Sequence, residues 1–309
     1  MTAPAAGHVR TTVAVGYDGS EAAQEAVRWA AAYAAAGHYR LRVVHAWVWP
    51  MFTKKLGPVK GVAGSGLRHS AEAILAEGVD LARTALAAGT PAAELAEPAP
   101  APGPGPGPGP GPAVEGVMET GLPAAVLRDA ARDARLLVVS SRGIGGVLGQ
   151  LAGSVCLDLA GSSPCPLMVV RQLRSPGQAA APVVVAVDGT SRSSAALAGA
   201  ARLAAVLGTT LQIVHIDQTR GGTREGHGRH GPLHGQELLD HALAEARTLA
   251  PDLSVSGVLR EGHSASKELL AAAADAEVLV IGTHNREGGP GNTVTAVLNK
   301  ARCNVLITR

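Results

Sequence analysis

Two carboxylates, a run of glycines and a serine that opens a helix are the residues of this chain best suited to chemistry. The run SSRGIGGVLGQLAGSVC, residues 140–156, follows the apolar stretch LLVV. Glycines let backbone N–H groups come close to phosphate oxygens, and the N-terminus of a following helix adds its positive dipole. Arg142 can supply charge, and Ser154 can offer a hydroxyl or cap the helix that starts near Gly153. Asp18, in GYDGS, ends one apolar run, and Asp188, in VDGTS, ends another. Either could serve as a general base, although a carboxylate between a strand and a helix is also an ordinary N-cap. HGRHGPLH gathers His227, His230 and His234, with His241 further on. Its glycine-rich, polar surroundings read as a solvated loop rather than a metal site. No serine or cysteine stands at a recognisable spacing from a histidine, so a nucleophile with its base is not identifiable.

The elements that must position these residues alternate. TTVAVGY (11–17) reads as a buried strand, followed by a helix that stops at Gly37. LRVVHAW (41–47) is the next strand, and 67–89 has helical spacing. AVEGVME, LPAAVLRDAARDA and RLLVVS then give strand, helix, strand, and PLMVVR closes the half as a fifth strand. Strands with few polar residues, each followed by a helix, predict a parallel sheet covered on both faces. Ligands of such sheets sit beyond the carboxyl ends of the central strands, where strand order reverses. Asp18 and the glycine run both fall there.

The second half repeats the first. VVVAVDGTSRSSAALAGAARLAAVLG matches TVAVGYDGSEAAQEAVRWAAAYAAAG, LQIVHID matches LRVVHAW, and CNVLITR matches CPLMVVR. The offset between equivalent positions is 170 at the aspartates and 138 at Cys165 and Cys303, so the second copy is 32 residues shorter. This is a tandem duplication. The seam falls at 172–182, and PAPAPGPGPGPGPGP (98–112) reads as an insertion within the first copy, between its second helix and third strand. Alternating proline forbids helix and ladder and favours an extended, solvated chain.

Composition narrows the partners. Hydrophobic residues make up 46% of the 309 residues, aromatics 2%, and the net charge is +2. So small an imbalance gives no footprint for nucleic acid or a membrane surface, and stacking platforms are scarce. Cys156, Cys165 and Cys303 are too few for a disulfide framework, and the two that precede apolar strands read as buried thiols. The N-terminal dozen residues lack the apolar core of a signal peptide. No apolar run approaches the roughly 18 residues of a membrane span. The expectation is a soluble, cytoplasmic protein.

The order strand–YDGS–helix, then VVH, then SSRGIGGVLGQLAGSV ahead of PCPLMVVR resembles the universal stress protein family, over almost all of both copies. The resemblance implies an α/β fold of two tandem Rossmann-like domains of the adenine nucleotide alpha hydrolase-like type. They span 8–172 and 182–309, each a five-stranded parallel sheet in the order 3-2-1-4-5 with helices on both faces. It also implies that the closing strands of the two copies pair about a pseudo-twofold axis, an intrachain pseudo-dimer, with homo-oligomers as a further expectation. Nucleotide-binding members carry a glycine, two residues, a second glycine, nine residues, then glycine followed by serine, threonine or asparagine. Gly143, Gly153 and Ser154 fit the last three places, and Ser140 stands at the first. By the same resemblance Asp18 contacts the nucleoside with Gly16 beside it. His45 and Ala46 lie by the adenine, the latter through its backbone, and Arg142 and Val155 complete the set.

In the second copy Asp188, His215 and Ile216 offer the nucleoside side, and Gly282 takes the first glycine position. Asn285 replaces the second, and only five residues separate it from Gly291 and Asn292. The expected function is adenine-nucleotide binding in stress response. ATP sits mainly in the first copy, with AMP or ADP as other occupants and Mg²⁺ on the phosphates. A nucleotide-free interaction scaffold of the same fold is the alternative, and a phosphate-transferring enzyme ranks last.

Overall fold

The computed structural model describes residues 11–47, 64–89, 113–143, 152–173, 181–217, 234–283 and 289–309. The insertion 98–112, His227, His230 and Asn285 lie outside them. The first copy runs β1 (Thr12–Gly16), α1 (Glu21–Ala36), β2 (Arg40–Trp47), α2 (Gly64–Gly89), β3 (Val114–Thr120), α3 (Pro123–Ala130), β4 (Leu136–Ser140), α4 (Ser154–Ser162) and β5 (Leu167–Val170). The second runs β6 (Val183–Val187), α5 (Ser191–Leu207), β7 (Leu211–Asp217), α6 (Gly235–Leu249), β8 (Val255–Glu261), α7 (Ala265–Ala272), β9 (Val278–Gly282), α8 (Asn292–Lys300) and β10 (Asn304–Thr308). Helix α3 is shorter than the stretch LPAAVLRDAARDA suggests. Tight turns at Arg132 and Ala134 end it, because the Arg135 N–H must reach the Thr12 carbonyl to set β4 beside β1.

Each copy has the strand order 3-2-1-4-5, and the two share one ten-stranded sheet, β3-β2-β1-β4-β5-β10-β9-β6-β7-β8. All pairings are parallel except β5 with β10. There Met168 faces Leu306, and Val169 and Leu167 face Val305 and Ile307. With the repeat offset of 138, Met168 and Leu306 are equivalent residues, so the pseudo-twofold axis runs through this pair. The closing strands therefore lie at the centre of the sheet, where an open apolar edge would otherwise invite foreign strands.

Successive strand side chains alternate between faces. Val13, Val15, Leu136 and Val138 pack with α1, α2, α5 and α6, whereas Ala14, Leu137 and Val139 pack with α3, α4, α7 and α8. Both apolar layers run across the two copies without a break. Two arginines add a reciprocal tie. Arg309, at the end of β10, donates to the Ala160 carbonyl of α4 at 3.1 Å, and its equivalent Arg171, after β5, donates to the Leu298 carbonyl of α8. A cation at a helix C-terminus complements the dipole there. Burial lowers the pKa of both guanidinium groups.

Candidate functional site

Strands β1 and β4 are neighbours, so the residues that follow them meet in one crevice. After β1, Asp18 Oδ1 accepts both the Ser20 hydroxyl (2.6 Å) and the Ser20 N–H (3.1 Å). Ser20 Oγ in turn accepts the Ala23 N–H and is the N-cap of α1. The sequence leaves Asp18 open to an N-cap reading; the structure corrects this. The shorter serine caps the helix, and the carboxylate two residues back holds the serine. Asp188 repeats the arrangement with Thr190, at 2.6 and 3.0 Å, and Thr190 caps α5.

His45, at the end of β2, is buried with Nδ1 2.8 Å from the Tyr17 carbonyl. A carbonyl only accepts, so in the neutral ring Nδ1 carries the proton and Nε2 is the acceptor. The Val44 carbonyl takes the Tyr17 N–H, and that of Trp47 takes the Gly121 N–H on the opposite side. By strand alternation the backbone groups of Ala46 point to the side of β1 beyond the point where β1 has ended. A strand edge left open by a shorter neighbour is suited to a planar, hydrogen-bonding ring. Gly16 sits on Leu127, whose side chain would lie 3.0 Å from a Cβ there, so the floor is packed from below.

On the other side of the crevice Ser140 Oγ donates to the Arg142 carbonyl at 2.5 Å, which turns the chain sharply after β4. The Ser140 side chain, standing where the family pattern has glycine, is thus folded into the turn. Ser141 is buried, and its carbonyl accepts the Gly153 N–H at 3.0 Å, which joins the end of β4 to the start of α4. Gly143 lies against Asp18: a Cβ there would be 2.5 Å from Asp18 Oδ2. Gly153 is the N-cap of α4, with no side-chain cap and no acidic residue in the first turn. The N–H groups of Ser154 and Val155 therefore have no helical acceptor and present the positive end of the dipole. Ser154 and Arg142 are exposed.

The second copy matches on one side only. His215 is buried, its Nδ1 2.9 Å from the Val187 carbonyl, and Ile216 occupies the place of Ala46 past the end of β6. Asp188 is exposed where Asp18 is half-buried. Gly282 backs onto the Arg192 carbonyl, and Thr283, equivalent to Ser141, adds a hydroxyl bond to the Pro290 carbonyl at 3.1 Å. Gly291 caps α8 at φ 85°, whereas Gly153 caps α4 at φ −66°, so the chain enters the two helices from different directions. Asn292 is exposed.

The two copies also differ beneath their aspartates. Tyr17 is buried, its hydroxyl donates to Glu77 at 2.7 Å, and burial followed by the Glu77 carboxylate pushes its pKa up to about 12. Its equivalent is Val187, and there a cavity of about 230 Å³ remains, lined by Val187, Leu197, Leu238 and Glu245 among others. Cys156, Cys165 and Cys303 are buried thiols, and burial raises the first to about 12 and the last to about 11. Among the described residues no cluster of three or more His, Cys, Asp or Glu is arranged to hold a metal ion, and no helix is long and apolar enough to cross a membrane. Sequence reading missed Ser20, Thr190 and Ser141. A hydroxyl two residues after each aspartate is the signal that identifies the first two.

Comparison with known proteins agrees with this architecture. The sequence model of the universal stress protein family matches residues 10–104, 107–171 and 181–309. Universal stress protein Rv2005c of Mycobacterium tuberculosis is 29% identical over 305 residues, 96% of each chain. A universal stress protein crystal structure from Archaeoglobus fulgidus superposes with a TM-score of 0.67 at 16% identity, again over 96% of each chain. A universal stress protein from the same organism, solved in complex with dAMP, is 24% identical; it aligns with 42% of this chain and 98% of its own, at a TM-score of 0.34.

Proposed function

The chain belongs to the universal stress protein family, and on that premise we propose that its first copy is an adenine-nucleotide site that prefers ATP. The observation that carries the proposal is the meeting of Gly143 with Asp18 beside the uncapped N-terminus of α4. The crevice is divided by charge. At one end stand a carboxylate acceptor and the open backbone of Ala46, suited to ribose hydroxyls and the adenine edge. At the other stand the N–H groups of Ser154 and Val155, the Ser154 hydroxyl and Arg142, suited to phosphates. Mg²⁺ would ride on the phosphate oxygens, where the Ser154 hydroxyl would help to hold it, and would neutralise their charge.

In the second copy the nucleoside side keeps its form, and the phosphate side does not. We assign it at most adenosine or AMP. We assign ligand-dependent signalling rather than catalysis, and the three buried free thiols suit the reducing cytoplasm. The decisive test is mass spectrometry of small molecules released from freshly purified full-length protein. Recovered ATP supports the reading. Protein that carries no nucleotide and binds none in titration favours the interaction scaffold, for which the central β5–β10 pairing is the supporting feature.

A further inference from the structure

The approach to α4 in the first copy is held from outside its own copy, at Ala152. The Ala152 N–H, one residue before the N-cap of α4, donates to Asn299 Oδ1 at 3.1 Å. Asn299 belongs to α8 of the second copy. The next N–H, that of Gly153, donates to Ser141 O within the first copy. Two consecutive amides are thus fixed, one from each copy, and together they set the direction in which α4 begins and its first free N–H groups point.

The pseudo-twofold axis supplies a control. The equivalents of Ala152 and Asn299 are Pro290 and Gly161, at the same offset of 138. Proline has no N–H to donate, and glycine has no side chain to accept. Gly161 instead lies flush on the loop, where a Cβ would be 3.1 Å from Gly289 Cα and 3.4 Å from Pro290 N. Losing donor and acceptor together costs little, whereas losing one strands the other. The chain keeps both partners where the phosphate cradle is uncapped and neither where it is remodelled.

We infer that Asn299 is a positioning residue for the nucleotide site of the first copy, which is complete only when α8 of the second copy is docked beside it. The inference rests on the nucleotide reading above, so its test includes a measurement that needs no nucleotide. Hydrogen exchange resolved to single amides is measured on ligand-free full-length protein for the parent, Asn299→Ala and Asn299→Asp. Exchange at Ala152 should quicken roughly three- to tenfold in N299A, the loss of one neutral hydrogen bond, and return toward the parent in N299D, which keeps an acceptor. Unchanged protection in N299A overturns the inference. Where the parent binds ATP, N299A should weaken ATP several-fold and leave adenosine unchanged. Equal losses for both, or none for ATP, contradict a role in positioning the phosphate side. Where the parent binds no nucleotide, the functional reading fails while the exchange result still decides the anchor.

Discussion

The two copies are the same construction up to the last strand residues of β1 and β6 and part company beyond β4 and β9. Both hold an aspartate on the N-cap hydroxyl of the next helix, and both bury a histidine against the backbone of the neighbouring strand. Only the first sets a glycine against its aspartate within the described residues and opens α4 from Gly153 in an extended conformation. Duplication has kept the half of the proposed site that also stabilises the fold. The capping hydroxyls and buried histidines are part of the packing of each copy, so they persist whether or not a ligand binds. The proposed phosphate half, from the end of β4 into α4, is the half that diverged.

The sharpest way to break this comparison is at Gly143. A valine there would place Cβ 2.5 Å from Asp18 Oδ2, inside van der Waals contact. The carboxylate must swing away, and bonds to a charged group worth about 1.5–3 kcal/mol go with it, so affinity for ATP and adenosine should fall roughly 10- to 100-fold together. Titration calorimetry checks this. Next in size is the exchange of Tyr17 and Val187. Tyr17→Val should cost about 2–3 kcal/mol through the cavity it opens and the Glu77 bond it deletes. Val187→Tyr, entering the existing cavity, should gain about 1 kcal/mol. Urea denaturation followed by far-UV circular dichroism should show midpoints moving in opposite directions. Two losses would mean that the second cavity is not shaped for the ring.

Gly153→Leu sharpens the division within the first copy. A Cβ at Gly153 meets only the Ser141 carbonyl, at 3.7 Å, and the residue has an ordinary φ of −66°. The variant should fold, lose about tenfold in ATP affinity, and retain adenosine, because the obstruction lies at the helix N-terminus alone. The smallest effect concerns pH. Tyr17 titrates near 12 in the folded chain against an ordinary value near 10. Its raised pKa contributes stability that is complete below pH 10 and is lost as pH rises toward 12. Tyr17→Phe should therefore be slightly less stable than the parent at pH 7 and lose less stability between pH 10 and 12.

Much of this was readable from residue order. Short β-branched runs alternating with alanine-rich stretches determine the elements, and the repeat determines that there are two copies. The spacing from Gly143 to Gly153 carries the proposed cradle, and the described residues put Gly143 beside Asp18 and Gly153 at the start of α4. Helix α3 ends before the sequence suggests: the alanines after Ala130 favour helix, while the Arg135 bond to Thr12 ends it from a distance. The sequence leaves the role of Asp18 open because aspartate and serine both cap helices, and only the fold shows that the Ser20 hydroxyl reaches the free amide. Asn299 had no local signal at all. Its partner Ala152 is 147 residues away, and the bond exists only because β5 and β10 pair.

The central claim is that one chain holds one ATP, in its first copy. Separated halves would expose the apolar β5 and β10 edges, so the test belongs to the intact chain. Calorimetric titration of the full-length protein with Mg-ATP should give one site per chain, weakened about tenfold in Gly153→Leu and unchanged in Asp188→Ala. Two equivalent sites, or a single site whose affinity is unchanged in Gly153→Leu and falls in Asp188→Ala, would contradict the account.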